Sequence, residues 1–284
     1  MNEISRSMSI RARANNVAKS MEIAPQAVLQ AYFTERFLAR VAQSQFASRV
    51  VLKGGTLMSA LFGMAERTTM DIDATVLGIR GDEENLRAVV EAICEIDADD
   101  GIAFSVERDA SIRKDDEYGG FEFALVANLG TIRLSLGLDM TVGDAITPRP
   151  RGIDYRRVLD DGGVIHLLAY PVETLLAEKL QTILKRGALS TRPRDFYDVY
   201  KIVLSQDYQA DVLRRAVDAT FRNRHSEDLL QRWREIMDEV AQSAVIRDGW
   251  LRYQRQFRYA QSVSFDDVLT SVRSLFDLLT KMSE

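Results

Sequence analysis

Apolar residues recur at helical spacing in some stretches of this chain and at strand spacing in others. Residues 21–46 carry Leu29, Tyr32 and Phe33 in a rhythm of three to four residues, which predicts a helix that begins near Pro25. Proline is favoured in the first turn of a helix because its missing N–H group would have no partner there. This segment is therefore the first long helix that the pattern predicts.

The next segments predict a strand, a helix and a second strand in close succession. The run VVLKGG is a short apolar strand that ends in a glycine turn, TLMSALFGM suits a helix, and TMDIDATVL suits a strand. A further amphipathic helix, NLRAVVEAICEI, follows them. This part of the chain therefore mixes helices and strands.

Alternation of apolar and polar residues predicts a hairpin near the middle of the chain. The segments FEFALVANL and TIRLSLGLDMTV flank a turn at residues 128–130, and Leu134, Leu136 and Leu138 share one face of the second strand. The proline-containing segment TPRPRGIDY is predicted to be a loop. From residue 170 the pattern is helical almost to the end.

These patterns predict two domains. Residues 1–165 form a mixed α/β domain with N-terminal helices, and residues 166–284 form a helical domain. The chain has 284 residues, of which 46% are hydrophobic and 28% charged, as expected for a soluble globular protein. No apolar run approaches the roughly 18 residues of a membrane span. Cys94 is the only cysteine, which excludes a disulfide framework and indicates a reducing cytoplasm.

The charge is unevenly distributed along the chain. The net charge is -5, yet residues 166–284 hold 18 basic and 17 acidic residues, whereas residues 1–165 hold 19 and 25. Proteins that bind nucleic acid over a wide surface are strongly basic, and this chain is not. Any nucleic acid would therefore bind to a local patch.

Two aspartates in a buried-looking strand are the first candidates for chemistry. Asp71 and Asp73 flank a single residue, so their side chains point to the same side of the strand. Two neighbouring carboxylates repel each other, and a divalent cation removes that cost. Magnesium favours carboxylates combined with substrate phosphates. The pair therefore predicts a site for Mg²⁺ and a nucleoside triphosphate.

A glycine turn precedes the aspartates, and a further acid follows them. Gly54, Gly55 and Thr56 stand where a strand meets a helix N-terminus, whose backbone N–H groups can hold phosphate. Asp139 lies on the polar face of the later strand and could complete a two-metal centre. An Asp-x-Asp pair alone is more often a solvated strand end, but the three features together favour a functional site.

The helical half contributes a lysine and two acids. Lys179 lies on the apolar stripe of its helix, where a lysine needs an anionic partner or extends its ammonium to solvent. Asp195 and Asp198 are neighbours on one face of the next helix. Asp195 is also explained as a first-turn acid that the helix dipole favours. Their occurrence in a chain with a candidate phosphate turn favours a shared site.

One aromatic segment has two interpretations. RDGWLRYQRQFRY interleaves arginines with Trp250, Tyr253 and Phe257, and such a mixture can stack bases and contact phosphates. The aromatic residues are also at helical spacing, which is more often typical of a core with arginines on the solvated face. We favour the core interpretation.

The sequence resembles the AbiEii/AbiGii nucleotidyltransferase toxins of bacterial toxin–antitoxin and abortive-infection systems. RTTMDID is similar to the R-x-T-x-D-I-D motif of that family, LDMTVGDAITP to its third-carboxylate strand, AEKLQTILKR to its lysine motif and RPRDFYDVY to its R-x-K-D-x-Y-D motif. Together with YFTERFLARVAQSQFASRVVLKGGTLM these motifs cover nearly the whole chain in the family order. The departures are small: Thr56 stands where serine is common in nucleotidyltransferases, and Arg194 replaces the usual lysine.

The resemblance implies an α+β fold, in which a polymerase-β-like nucleotidyltransferase domain with a mixed sheet is followed by a helical bundle domain. It implies an enzyme that transfers nucleotides from an NTP to the tRNA acceptor end and so blocks translation. It also implies a partner, a cognate antitoxin that is a winged-helix transcriptional regulator. Each implied site residue has its own role. Asp71, Asp73 and Asp139 would hold two Mg²⁺ ions, Lys179 would bind triphosphate, Asp195 and Asp198 would supply the acid of the fourth motif, and Arg67 and Arg186 would be further nucleotide contacts.

Two other functions compete with an RNA nucleotidyltransferase toxin. The same chemistry could act on a protein hydroxyl or a small molecule, and the modest charge of the helical half leaves this open. The chain could also be a non-enzymatic interaction module on a transferase fold. The intact set of aspartates and Lys179 argues against the second alternative.

Overall fold

A computed structural model of the chain describes residues 3–107, 111–112, 120–159 and 163–282. It divides into two compact units. The first unit comprises Met1–Gly143 and Arg151–Ala169, and the second comprises Asp144–Pro150 and Tyr170–Glu284. The main division in the sequence thus falls between residues 169 and 170.

The first unit combines four helices with a sheet in the part of the chain that the structure describes. Its helices are α1 (Glu3–Met21), α2 (Pro25–Gln43), α3 (Gly54–Phe62) and α4 (Glu83–Cys94). Its strands are β1 (Val50–Leu52), β2 (Asp71–Val76), β3 (Ala103–Val106), β4 (Ser111–Ile112), β5 (Gly120–Leu129), β6 (Ile132–Val142), β7 (Arg151–Arg156) and β8 (Val164–Ala169).

Over the described residues these strands form one mixed sheet of eight strands in the order β3-β5-β6-β2-β1-β8-β7, with β4 paired to β5. The β2–β6 and β1–β8 pairs are parallel, and the other pairs are antiparallel. A mixed sheet of this kind, with helices packed on it, is an α+β arrangement. The predicted fold class is therefore confirmed.

One face of the sheet is apolar and carries helices α2 and α4. Leu134, Leu136 and Leu138 are buried on this face of β6 because side chains alternate along a strand. Phe37 of α2 packs edge-on against Phe104, which lies on the same face. The other face of β6 and β2 carries the polar residues of the candidate site, so the sheet separates that site from α2.

The predicted hairpin and the predicted helix start are confirmed, whereas one predicted loop is wrong. β5 and β6 pair from Gly120↔Thr141 to Leu129↔Ile132, and α2 begins at Pro25. The segment TPRPRGIDY is not a loop throughout, because Arg151–Arg156 form β7, which pairs with β8. Its two prolines precede the strand, and the side chain of Tyr155 is buried within it.

The second unit is helical over its described residues. Its helices are α5 (Val172–Arg186), α6 (Pro193–Ser205), α7 (Ala210–Asn223), α8 (Glu227–Gln231), α9 (Trp233–Gln242), α10 (Ala244–Gln256) and α11 (Phe265–Lys281), with short 3-10 turns at Gly187–Leu189 and Arg258–Ala260. The predicted helical character is confirmed. Trp250 and Tyr253 are buried among other aromatic rings, as the core interpretation of this segment predicts. No described helix is long and apolar enough to cross a bilayer.

Candidate active site

The three predicted metal ligands lie on one face of two neighbouring strands. In the parallel β2–β6 pair, Asp73 is directly opposite Asp139, and Asp71 is opposite Gly137. Residues opposite each other in paired strands point to the same side of the sheet, so all three carboxylates share the polar face. Asp139 is buried, Asp73 is partly exposed, and Asp71 is exposed. The exposure thus increases from the third acid to the first.

Gly137 leaves room for the carboxylate of Asp71. A Cβ atom at residue 137 would lie 2.5 Å from Oδ1 of Asp71, closer than real Cβ atoms approach an oxygen. The missing side chain therefore forms a small recess beside the Asp71 carboxylate. A strand normally disfavours glycine, and a close approach of another group is one reason for finding it there.

The carboxylate of Asp73 occupies the glycine turn. Its Oδ2 atom accepts hydrogen bonds from the N–H groups of Gly55 at 2.8 Å and of Thr56 at 3.3 Å. These are N–H groups at the start of α3, which have no partner within the helix. The sequence predicts that these N–H groups bind phosphate. In this structure they instead bind the carboxylate of Asp73, a residue of the same candidate site.

Thr56 joins the start of α3 to strand β2. Its hydroxyl donates to the carbonyl of Asp71 at 3.1 Å, and it accepts from the N–H of Asp73 at 2.8 Å. Thr56 is fully buried, so this hydroxyl faces the backbone of β2 and not solvent. Gly54 adopts a φ of +53°, and a Cβ there would lie 2.7 Å from Cγ of Asp73. The turn is thus shaped around the Asp73 side chain.

The donor set fits a cation that prefers oxygen ligands. Three carboxylates share one face, and the recess at Gly137 and the turn at Gly54 give two of them space. Magnesium is commonly held by one or two carboxylates together with substrate phosphates and water. In the side-chain arrangement of this structure, no three His, Cys, Asp or Glu residues among the described ones are grouped closely enough to hold a metal ion.

Three further polar residues of this face did not emerge from the sequence pattern. Lys53 is buried, and its ammonium donates to the hydroxyl of Thr141 at 2.6 Å. Thr141 follows Asp139 on the same face of β6, and the exposed Glu122 of β5 is directly opposite Asp139. In the sequence, the position of Lys53 between a buried strand and a glycine turn was the signal that could have pointed to it. Its burial follows from pairing with strands that are distant in the sequence.

Lys179 is held by both predicted acids of the second unit. Its ammonium lies 2.6 Å from Oδ1 of Asp195 and 2.8 Å from Oδ2 of Asp198. All three residues are buried, as the apolar position of Lys179 on α5 predicts. Oδ2 of Asp195 is buried and accepts no hydrogen bond from the described residues. The cluster thus joins the middle of α5 to the first turn of α6.

The remaining candidate residues occupy different surroundings. Arg67 is buried in the first unit and donates to the carbonyl of Thr68, whereas Arg186 is partly exposed in the last turn of α5. Asp144 accepts a hydrogen bond from the hydroxyl of Tyr170 within the second unit. Burial, together with the nearby acids Glu178 and Asp144, raises the pKa of Tyr170 well above its usual range, so Tyr170 stays protonated and donates.

Comparison with known proteins identifies the family of this chain. The protein-family profile described as "Nucleotidyl transferase AbiEii toxin, Type IV TA system" matches residues 36–271. The chain belongs to the AbiEii nucleotidyltransferase toxin family. The matched range includes every candidate site residue discussed above, from the glycine turn to Asp198. No curated protein matches the chain significantly.

Two solved structures have a similar fold. A nucleotidyltransferase candidate from H. pylori has a TM-score of 0.51 and 15% identity, and the alignment covers 92% of this chain and 97% of that one. JHP933 from Helicobacter pylori has a TM-score of 0.50 and 16% identity, with coverage of 92% and 96%. At these identities the likeness concerns the fold. As a member of the AbiEii family the protein is a nucleotidyltransferase, which implies an NTP substrate and, for a type IV system, a cognate antitoxin.

Proposed function

We propose that this AbiEii protein is a Mg²⁺-dependent toxin that transfers nucleotides from an NTP to RNA, at the tRNA acceptor end, and so blocks translation. The observation that carries this proposal is the register of β2 and β6. It places Asp73 opposite Asp139 and Asp71 over the recess at Gly137, all on one face. Three carboxylates on one face can hold the metal ions that assist a displacement reaction at phosphorus.

Asp71, Asp73 and Asp139 would hold the metal ions in this proposal. Bound Mg²⁺ supplies charge neutralisation for the triphosphate and activation of the attacking hydroxyl. Asp139 is the most buried of the three acids, and in our proposal it also accepts the proton of that hydroxyl. Lys53 brings a positive charge to the same face, beside Thr141, and thereby offsets part of the repulsion among the acids.

The hydrogen bonds of Asp73 suggest a specific role for the glycine turn. The N–H groups of Gly55 and Thr56 hold Oδ2, which leaves Oδ1 of Asp73 for a cation. In this proposal the turn orients a metal ligand. A triphosphate that used the same N–H groups would have to displace the carboxylate of Asp73. Phosphate binding to the turn and release of Asp73 would then be coupled.

A direct role for Lys179 in binding triphosphate requires an exchange of partners. With both carboxylates ionised, the cluster of Lys179, Asp195 and Asp198 carries one net negative charge. Such a cluster favours a cation or a hydrogen-bond donor over a phosphate. We propose that Lys179 binds triphosphate by exchanging one carboxylate for a phosphate oxygen. Nucleotide affinity of a Lys179→Gln variant, measured by calorimetry on folded protein, tests this role.

In our proposal, arginine side chains contact the phosphates of the RNA acceptor. Arg192 and Arg194, beside the fourth motif, are exposed, whereas Arg224, at the end of α7, is engaged by Glu178 and Gln181. The first two are therefore the better candidates for RNA phosphate contacts. We also propose a winged-helix regulator as the antitoxin. The competing acceptors are a protein hydroxyl and a small molecule.

One experiment addresses donor, acceptor and metal together. Purified protein is incubated with total RNA and each labelled NTP in turn, with Mg²⁺ or with EDTA. We expect one NTP to label RNA of tRNA size only with Mg²⁺, and Asp71→Asn to remove the label. Asp154→Asn, which changes an exposed acid on β7, is the matched control and should keep it. Labelled protein without labelled RNA would instead favour the protein hydroxyl, and no label on any acceptor would contradict the proposal.

A further inference from the structure

A cavity of about 300 Å³ lies in the first unit beside helices α1 and α2. It is lined by Arg6, Ser9, Ile10, Arg13, Tyr32, Arg36 and Asp100. The four residues from α1 follow one another at helical spacing and thus form one face of that helix. Most of the lining precedes residue 36, where the match to the AbiEii family begins. The family assignment therefore gives this cavity no role.

The cavity lies on the side of the sheet opposite the aspartates. Tyr32 and Arg36 belong to α2, and α2 packs on the apolar face through Phe37 and Phe104. Asp73 and Asp139 lie on the other face. A ligand in this cavity would therefore not occupy the space next to the metal-binding carboxylates.

Three arginines line this cavity although the first half of the chain is acidic. Arg36 lies over the ring of Tyr32 at 4.8 Å and within 3.3 Å of the buried Glu35. Arg13 is steadied by a hydrogen bond to the carbonyl of Leu159. Arginine groups fixed in this way are already oriented, so less freedom is lost when they bind an anion.

The one carboxylate among the described lining residues is committed elsewhere. Asp100 accepts two hydrogen bonds from the buried Arg40, at 2.9 and 2.8 Å. Burial raises the pKa of Asp100, but the hydrogen bonds from Arg40 and from the N–H of Ile102 outweigh that effect and hold the pKa below its usual value. Asp100 is therefore an ionised partner of Arg40, and its charge also acts on Arg36.

We infer that this cavity is a phosphate-binding site that takes a nucleotide-sized ligand. Arginine forks match phosphate oxygens, and the hydroxyls of Ser9 and Tyr32 can add hydrogen bonds. The volume exceeds that of a bare phosphate and is at the lower end of typical small-ligand pockets, roughly 300–1,000 Å³. The phosphate has two possible sources, a free mononucleotide and the backbone of an RNA. The second source rests on the proposed RNA function, whereas the site itself does not.

Ser9 offers a test with little structural disturbance. Ser9 is exposed on α1, so Ser9→Asp adds a negative charge at the cavity. Ser9→Asn introduces a side chain of nearly the same size and shape as aspartate but without the charge. Arg6→Gln removes one lining charge, and Arg11→Gln removes an equal charge from α1 outside the cavity. All variants are made in an Asp71→Ala background without Mg²⁺, so that nucleotide transfer does not contribute. Circular dichroism confirms that each variant is folded.

The probes are AMP, inorganic phosphate and a short single-stranded RNA without a terminal phosphate, each titrated by calorimetry. We expect the parent, Ser9→Asn and Arg11→Gln to bind a phosphate-bearing probe, and Ser9→Asp and Arg6→Gln to bind it about tenfold or more weakly, the loss typical of a charged hydrogen bond. Binding of AMP identifies the free nucleotide as the source, and binding of RNA alone identifies the backbone. Equal weakening in Arg6→Gln and Arg11→Gln, or no binding of any probe by the parent, would overturn the inference. Failure of RNA labelling with intact AMP binding would reject the proposed function and leave this site standing.

Discussion

The ammonium of Lys179 lies 2.6 Å from Oδ1 of Asp195, 16 residues further along the chain, and both groups are buried. Asp198 approaches the same ammonium at 2.8 Å. Lys179 therefore pairs with two carboxylates that would repel each other inside the second unit. This relationship gives Lys179 a structural role, whatever its role toward nucleotide.

Removing this lysine should destabilise the fold. We expect Lys179→Met to lower the free energy of unfolding by about 3–5 kcal/mol, the usual cost of leaving a buried charge without its partner. Urea denaturation measures the change. Lys185→Met, at an exposed position of the same helix, is the control and should have little effect. Adding Asp195→Asn and Asp198→Asn to Lys179→Met should restore much of the loss. A fully stable Lys179→Met would contradict the geometry of the cluster.

The hydrogen bonds of Asp73 predict different stabilities for two substitutions that both remove its charge. Asp73→Ala leaves the N–H groups of Gly55 and Thr56 without their acceptor, and we expect a loss of about 0.5–2 kcal/mol, as for a lost helix cap. Asp73→Asn keeps an oxygen acceptor, so its stability should stay closer to that of the wild type. Thermal unfolding measures both variants, and nucleotide transfer should be abolished in both. Equal stability of the two variants would show that the turn does not hold this side chain.

The pair of Asp100 and Arg40 predicts a loss of stability in acid. The pKa of Asp100 lies below its ordinary value of 3.8 in the folded protein, so the pair contributes stability above that pH. The contribution is lost as the pH falls through the folded pKa. We therefore expect the difference in unfolding free energy between wild type and Asp100→Asn to be constant near neutral pH and to shrink below about pH 4. Urea titrations from pH 7 to pH 3 measure it, and a constant difference would rule out this contribution.

Local patterns predicted much of this fold because they depend on neighbours in the sequence. The start of α2 followed from Pro25, and the β5–β6 hairpin followed from strict alternation around Gly130. The strand β7 was missed because it follows two prolines, and because its pairing with β8 is a tertiary contact. The spacing of Asp71 and Asp73 predicted a shared face, but only the parallel β2–β6 register shows which residue lies opposite each acid.

The details of the candidate site depend on contacts that no local pattern encodes. The carboxylate of Asp73 turns toward Gly55, although the sequence equally allowed it to face a cation, because unpartnered N–H groups at the start of α3 attract it. The buried ammonium of Lys53 donates to the hydroxyl of Thr141, which is 88 residues away. Side-chain direction and long-range partners are set by tertiary packing, so they required the structure.

The recess at Gly137 predicts that one methyl group can disable the site without unfolding the protein. In Gly137→Ala the new Cβ would lie 2.5 Å from Oδ1 of Asp71, and the exposed Asp71 side chain can rotate away at little cost to the fold. We therefore expect nucleotide transfer to fall at least about tenfold, equivalent to roughly 1.4 kcal/mol of transition-state stabilisation, since a displaced ligand no longer meets the metal. The melting temperature should change little, because alanine is tolerated in a strand better than glycine.

Gly152→Ala on β7, where a Cβ meets nothing within 4 Å, is the matched control and should retain full activity. Single-turnover transfer assays at saturating Mg²⁺, with thermal unfolding of the same samples, measure both quantities. Full activity of folded Gly137→Ala would show that Asp71 does not need its present position, and a large loss of stability would show that the residue acts through the sheet.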